Sequence, residues 1–91
     1  MKYEVKYTAR FQKDYKLLVK RKLDVSKVHD VIEILASGNM LPRKYHDHAL
    51  SGDYPGAREC HIRPDWLLIY SISNEKLILE LMRTESHSDL F

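Results

Sequence analysis

The sequence predicts an α+β domain in which two helices pack on one face of an antiparallel sheet. Three observations support this class: an alternating N-terminal segment, two segments with apolar residues at helical spacing, and three later strand-like segments. The predicted order is an N-terminal strand, a helical hairpin and an antiparallel meander of three strands. With 91 residues, the chain has room for a single domain, residues 1–91, with one modest core.

The first strand is predicted over residues 2–7, where Tyr3, Val5 and Tyr7 alternate with charged residues. Thr8 follows and can cap a helix, because its hydroxyl can accept a hydrogen bond from an N–H group of the first turn. The apolar residues of this predicted helix recur at helical spacing and form one stripe: Phe11, Tyr15 and Leu18, widened by Leu17 and Val19.

A second helix is predicted after Asp24, where the first apolar pattern breaks. Asp24 or Ser26 can cap its start, and Gly38-Asn39 resembles a C-terminal cap. Its apolar residues define one buried face: Val28, Val31, Ile32, Leu35 and Ala36. Because the link between the helices is short, we expect them to pack as an antiparallel hairpin.

The second half of the chain predicts a loop and then three strands. Residues 39–57 contain several glycines and prolines without an apolar period, which indicates a loop. Strands are predicted over residues 58–63, 66–72 and 77–84. The middle one is apolar at nearly every position, which predicts a central strand covered on both faces.

Composition limits the class of protein. The net charge is +2, and no segment approaches the roughly 20 apolar residues that cross a bilayer. Residues 1–20 contain no apolar core of a secretory signal. Cys60 is the single cysteine, so we expect no internal disulfide, a reducing compartment and a cytoplasmic protein without a membrane partner.

Basic residues are concentrated in the first third of the chain and recur later among the histidines. Clustered cations can attract phosphate backbones in a salt-dependent manner. A solvated helix face explains the lysines of the first helix equally well, so both interpretations stay open.

Histidines and an aspartate in the second half of the chain are the candidate reactive groups. Imidazole, with an ordinary pKa of roughly 6.5, can accept and donate a proton near neutrality. On the predicted strand 58–63, His61 shares one face with Glu59 and Arg63, while Cys60 points to the other face. Cys60 therefore cannot act as a nucleophile beside His61 and is predicted to be a core residue. Asp65, in the turn that follows, could orient His61.

This residue set suits attack by a ribose 2′-hydroxyl on the adjacent phosphate. That reaction needs a base for the hydroxyl, an acid for the departing 5′-oxygen and cations for the phosphate charge. Histidines can supply the first two and arginines the third. No G-x-S-x-G, P-loop, dinucleotide-binding or C-x-x-C motif is present.

His46-Asp47-His48 raises the alternative of a metal site, since two histidines in H-x-H spacing can lie on one side of an extended segment. A catalytic zinc needs three close ligands. The third would have to come from His61, His87 or an aspartate, at no recognised spacing. The sequence therefore predicts neither a metal nor a cofactor.

Three segments in order carry a resemblance to a known family. Residues 47–52, 58–70 and 83–91 closely resemble the YafQ-type branch of the RelE toxin superfamily, and residues 11–14 are similar to that family's first helix. The resemblance implies a toxin of a bacterial type II toxin–antitoxin module that cleaves mRNA in the ribosomal A site. It also implies a helical hairpin on an antiparallel sheet, in agreement with the fold predicted above.

The resemblance also implies roles for individual residues. Those that match the proton-transfer residues of the family are His48, His61, Asp65 and His87. Those that match or suit substrate contacts are Trp66, Arg63, Arg83 and the terminal aromatic Phe91, which could stack on a base. The alternatives are a Phe91 tucked into the core and arginines that pair with Glu59 or Asp65.

The partners implied are a cognate antitoxin, the 70S ribosome with its A-site mRNA, and operator DNA reached through the antitoxin. An acidic, extended antitoxin would complement the basic residues of the toxin. The rival hypothesis is a non-catalytic co-repressor that acts with the antitoxin at its own operator. Such a binding module would not need the four proton-transfer residues.

Overall fold

Two helices and a five-stranded sheet form the fold in the computed structural model, which describes residues 1–50, 52 and 56–87. The elements in chain order are β1 (Glu4–Tyr7), α1 (Ala9–Lys20), α2 (Ser26–Ala36), β2 (His48–Ala49), β3 (Arg58–Arg63), β4 (Trp66–Ser73) and β5 (Ile78–Ser86). A short 3-10 helix, Arg43–Tyr45, precedes β2. Within the described ranges, no helix is long and apolar enough to cross a membrane.

The strands lie in the order β1-β5-β4-β3-β2. β3, β4 and β5 form the predicted antiparallel meander, whereas β1 runs parallel to β5. The α+β class is therefore confirmed, although the sheet is mixed and not wholly antiparallel. A parallel pair needs a long connection, and the chain between β1 and β5, which includes both helices, provides it.

The segment predicted as a loop contains the additional strand β2. His48 pairs with Glu59, and Ala49 pairs with Arg58. The loop prediction for residues 39–57 is wrong here, because a two-residue strand is too short to show an alternating pattern. This pairing holds His48 beside β3.

Both helices begin near the predicted capping residues. At the start of α1, the Thr8 hydroxyl oxygen accepts a hydrogen bond from the Phe11 N–H group at 3.0 Å. At the start of α2, the N-cap residue is Val25, which makes no side-chain capping hydrogen bond, so the prediction of Asp24 or Ser26 as the cap is wrong. Asp24 Oδ1 nevertheless accepts a hydrogen bond from the N–H group of Ser26, the first residue of the helix, at 3.2 Å. Gly38 follows α2 with a φ of +83°, a conformation that favours glycine.

The buried face of α2 is as predicted, but that of α1 is narrower. All five apolar residues predicted for α2 are buried. On α1, Leu18 is buried, whereas Leu17 and Val19 are 51% and 50% exposed. The widened stripe is therefore wrong, because these two residues are rotated by about 100° to either side of Leu18.

β4 lies at the centre of the sheet, yet only one of its faces is covered by the helices. Trp66, Leu68 and Tyr70 are buried in the core that the helices form with the sheet. Leu67 and Ile69, which alternate with them, are partly exposed. In the described part of the chain, nothing buries the second face of β4, so the prediction of a strand covered on both faces is wrong. We call the face that carries Leu67 and Ile69 the open face.

Candidate active site

The open face collects polar side chains from three strands. Directly paired residues of antiparallel strands project to the same side of a sheet. Two rows of paired residues therefore share this face. One row contains His48, Glu59, Ile69 and Arg83, and the other contains His61, Leu67 and Glu85. Leu67 and Ile69 thus provide an apolar floor between histidines on one side and charged residues of β5 on the other.

His48, Glu59 and His61 form a compact group that we call the His–Glu–His cluster. The Nε2 atom of His48 lies 3.2 Å from Glu59 Oε1, and that of His61 lies 4.0 Å from the same oxygen. The centres of the two imidazole rings are 6.1 Å apart. The side chains of His48 and His61 are 48% and 27% exposed, so a substrate can reach both rings.

Backbone carbonyls fix the orientation of both rings in the cluster. His48 Nδ1 lies 2.7 Å from the carbonyl oxygen of His46, and His61 Nδ1 lies 3.2 Å from that of Pro64. A carbonyl oxygen only accepts hydrogen bonds, so each ring donates through Nδ1–H. The Nε2 atoms of both rings then face Glu59.

The cluster is also the group, within the described part of the chain, that could hold a metal ion. Its three ligand atoms all lie within 4.8 Å of one another. His46, which the sequence paired with His48 as a possible ligand, does not belong to this group, although its ring centre is 6.0 Å from that of His61. Glu59, not His46, completes the set.

A polar network anchors the segment that carries His48. The carboxylate of Asp47 accepts hydrogen bonds from Arg58, at 3.0 Å from Nη2, and from the Tyr70 hydroxyl. The hydrogen bond to Asp47 raises the pKa of Arg58 above its usual value. Burial, together with the bond to Asp47, raises the pKa of the Tyr70 phenol, which therefore remains a donor. His46, in a left-handed conformation with φ of +49°, turns the chain into this anchored segment.

His87 and Asp65 meet at one end of the open face. The N–H group of His87 donates a hydrogen bond to the Asp65 carbonyl oxygen at 2.8 Å. His87 Nε2 lies 3.9 Å from Glu85 Oε2, and its side chain is 67% exposed. The carbonyl of Pro64, and not the Asp65 carboxylate, orients the His61 ring. Asp65 thus contacts His87 through its backbone.

The two candidate phosphate-binding arginines have different environments. Arg83 Nε lies 2.9 Å from Asp14 Oδ2 on α1, and its Nη2 lies 2.5 Å from Glu85 Oε1. Its ion-pair partners are therefore not the Glu59 or Asp65 considered from the sequence. Arg63 is exposed and lines a cleft of about 620 Å³ beside His61. Other cleft residues are Lys27, Lys44, Tyr45 and His46.

Three further predictions concern Trp66, Phe91 and Cys60. Trp66 is fully buried and donates from Nε1 to Thr84 Oγ1 at 3.0 Å, so the predicted substrate contact is wrong for this structure. Strand alternation directs this side chain into the core. Phe91 lies outside the described residues. Cys60 is fully buried, and burial raises the pKa of its thiol to about 12, in agreement with a core residue.

Glu59 is the site residue that sequence reasoning did not select. The alternation of β3 placed it on the same face as His61, which was a usable signal. Its contact with His48 depends on the pairing of β2 with β3, which local patterns do not reveal.

Comparison with known proteins agrees with the resemblance seen in the sequence. Residues 3–91 match the family described as "Bacterial toxin of type II toxin-antitoxin system, YafQ". The mRNA interferase toxin YafQ of Escherichia coli (strain K12) is 37% identical over 89 residues, which cover 97% of this chain and 95% of that protein.

Solved structures show the same fold. A chain in the crystal structure of the E. coli DinJ-YafQ complex superposes with a TM-score of 0.85 and 36% identity over 98% of each chain. The crystal structure of a metal-bound toxin from Helicobacter pylori gives a TM-score of 0.87 and 40% identity, over 98% of this chain and 99% of that one. The chain therefore belongs to the YafQ family of bacterial type II toxin–antitoxin toxins.

Proposed function

We propose that this protein is a ribosome-dependent mRNA endonuclease, the toxin of a type II toxin–antitoxin pair, that cleaves RNA by metal-independent acid–base catalysis. Its E. coli relative is named an mRNA interferase. The observation that carries the proposal is the His–Glu–His cluster, with His87 and Arg83 on the same open face.

Proton transfer in this mechanism uses both sides of the open face. The ribose 2′-oxygen attacks the phosphorus as a base removes its proton, and an acid protonates the departing 5′-oxygen, which leaves a cyclic phosphate. These two oxygens lie on opposite sides of the phosphorus. Groups on β3 and at the residue that follows β5 suit this geometry, since strands two apart are separated by about 10 Å. One transfer is assigned to the cluster and the other to His87; which is the base stays open.

The remaining groups would bind the phosphate and the nucleosides. Asp14 and Glu85 hold the guanidinium of Arg83 at one edge of the apolar floor. Charge on the phosphate oxygens grows during attack, and a fixed guanidinium stabilises it. Leu67 and Ile69 offer a surface for sugar or base.

Exposure of the site supports ribosome dependence. The side chains of His48 and His87 are 48% and 67% exposed, so neither ring is enclosed by the described part of the protein. Catalysis needs the reacting atoms held close together and aligned. A ribosome that presents mRNA in its A site would supply that order, while the toxin supplies the proton-transfer groups.

An antitoxin is the second proposed partner. The E. coli relative is seen in complex with DinJ, which supports a comparable complex here. An acidic antitoxin would cover the basic residues of the toxin, and it would connect the toxin to operator DNA.

The test is cleavage of ribosome-bound mRNA, with 5′ ends of the products mapped. Wild type should produce cuts inside coding frames, and His87→Ala should reduce the rate by about 100-fold or more, as expected for a lost proton-transfer group. His29→Ala is the matched control, since His29 contacts Tyr15 on α1, away from the site. Wild type without cleavage, but with operator binding in the antitoxin complex, would favour the co-repressor.

A further inference from the structure

We propose that the cleft beside His61 binds the phosphate that neighbours the scissile one along the mRNA, together with the base next to it. This cleft, which we call the basic cleft, carries the cationic side chains of Lys27, Lys44 and Arg63. The identity of the strand as mRNA rests on the proposed function, whereas binding of a single-stranded nucleotide by the cleft can be measured without cleavage.

The basic cleft concentrates positive charge where three elements meet. Lys27 comes from the first turn of α2, Lys44 from the 3-10 helix before β2, and Arg63 from the end of β3. Among the described residues that line the cleft, Asp30 supplies the one carboxylate. The three cations outnumber it, so the cleft attracts a phosphate group.

The cations of the basic cleft are available to a ligand. In the described part of the chain, Lys27, Lys44 and Arg63 form no ion pair with a carboxylate, whereas Arg58 pairs with Asp47 at 3.0 Å. A phosphate that enters the cleft would therefore displace water from these side chains, and no existing ion pair would have to break.

His61 joins the basic cleft to the His–Glu–His cluster. It lines the cleft and also belongs to the cluster. The centre of its ring lies 6.1 Å from that of His48 in the cluster and 6.0 Å from that of His46 in the cleft. A strand whose scissile phosphate lies at the cluster would therefore continue past His61 into the cleft in one of its two directions.

The basic cleft also offers an aromatic surface for a base. Tyr45 and His46 line it, and His46 is exposed. Unstacked bases of single-stranded RNA stack on aromatic side chains, including tyrosine and histidine. Because Lys44 Nζ lies over the Tyr45 ring, 5.2 Å from its centre, His46 is the ring that we assign to the base. The volume of about 620 Å³ falls within the roughly 300–1,000 Å³ that is typical of small-ligand sites.

Titration of the full chain with a 2′-O-methylated adenosine trinucleotide, which cannot be cleaved through a 2′-hydroxyl, tests the cleft without the ribosome. In wild type, the amide NMR signals that shift should be those of residues that line the basic cleft. A cleft variant, which combines Lys27→Gln, Lys44→Gln and Arg63→Gln, should bind roughly tenfold more weakly, because three exposed charge pairs are lost. His46→Asn, which keeps a residue that tolerates the left-handed conformation, should weaken binding by about fivefold or more.

An edge variant provides the matched control. It combines Lys2→Gln, Lys6→Gln and Lys76→Gln, which remove the same charge from exposed lysines near β1, at the edge of the sheet opposite β2. This variant should keep wild-type affinity for the trinucleotide. Equal weakening in the cleft and edge variants would overturn the site, because net charge alone would then explain binding. Adenosine 5′-monophosphate bound as tightly as the trinucleotide would overturn the strand assignment and indicate a mononucleotide site.

An uncharged methylphosphonate in the mRNA tests the inference on the ribosome. When it replaces the phosphate on one particular side of the scissile one, wild-type cleavage should lose about fivefold in kcat/KM, chiefly through a higher KM. The cleft variant should show a raised KM with natural mRNA and no further loss with that methylphosphonate, because both changes remove the same contact. Additive losses at both neighbouring phosphates, or no loss in wild type at either, would overturn the inference.

Failure of this inference differs from failure of the proposed function. If wild type cleaves ribosome-bound mRNA and the cleft variant matches it in KM and in trinucleotide affinity, the basic cleft is refuted and the nuclease stands. If wild type binds the trinucleotide in the basic cleft but never cleaves mRNA, the nuclease is refuted and the binding site for single strands stands.

Discussion

The two faces of the central strands are built from alternating residues of the same segments, yet they serve different purposes. On β4, Trp66, Leu68 and Tyr70 lie in the core, while Leu67 and Ile69 form the floor of the open face. On β3, Cys60 is buried, whereas Glu59 and His61 are accessible. Stability is concentrated on the helix-covered face, which leaves the open face free to carry charged groups.

The largest expected effect in this comparison is on catalysis at the open face. Glu59→Gln should lower the rate of mRNA cleavage by about 100-fold or more, because it removes the carboxylate that faces both rings of the cluster. The melting temperature of this variant should remain close to that of wild type, since Glu59 does not belong to the apolar core. Single-turnover cleavage and thermal unfolding measure the two quantities. Full activity would exclude Glu59 from the mechanism.

Leucine truncation on β4 compares the stability of the two faces directly. Leu68→Ala should lower the free energy of unfolding by about 2–5 kcal/mol, because it leaves a cavity in the core. Leu67→Ala, one residue away and partly exposed, should lower the free energy of unfolding by less than about half as much. Urea unfolding measures both. Equal losses would show that the open face is covered in solution.

The hydrogen-bond network of Asp47, Arg58 and Tyr70 links the core to the segment that carries His48. Tyr70→Phe removes the hydroxyl that donates to Asp47 and should cost about 1–3 kcal/mol. Because Asp47 anchors the segment of His48, the rate of mRNA cleavage should fall as well. Tyr7→Phe, at an exposed tyrosine, is the matched control with little expected change. A stable and fully active Tyr70→Phe variant would separate this network from the site.

How much of the molecule the sequence predicts depends on the range of the interactions. Alternation located β3 to the residue, and helical spacing located the core of α2, because both patterns are local. The pairing that joins His48 to Glu59 was missed because it connects segments through a two-residue strand. Trp66 was misassigned because family resemblance does not state which face of a strand a side chain occupies.

A smaller effect concerns the thiol in the core. Burial raises the pKa of Cys60 to about 12, above the ordinary thiol value of about 8.5 that applies when the chain is unfolded. The stability that the neutral thiol contributes is fully present below the unfolded pKa and is lost as pH rises towards the folded one. Urea midpoints should therefore fall more steeply above pH 9 (about the unfolded pKa) in wild type than in Cys60→Ala. Equal slopes would contradict the burial of this thiol.

The smallest effect is expected at the start of α2. Hydrogen bonding from Ser26 lowers the pKa of Asp24, so the stability it contributes is present above the ordinary carboxyl pKa and is lost as pH falls through the folded value. Asp24→Asn should weaken the decline in urea midpoint between neutral and acid pH, and Ser26→Ala should do the same. If the dependence of the urea midpoint on acid pH is unchanged in both variants, the Asp24–Ser26 hydrogen bond does not contribute to stability.

The central claim is that imidazoles on the open face serve attack by a ribose 2′-hydroxyl, and one substitution in the substrate tests it most directly. Ribosome-bound mRNA with a single 2′-deoxy nucleotide on the 5′ side of the mapped cut should resist cleavage there, while neighbouring sites and the all-ribose transcript are cut normally. Continued cleavage at the deoxy position would contradict the mechanism, because the nucleophile would then have to come from elsewhere.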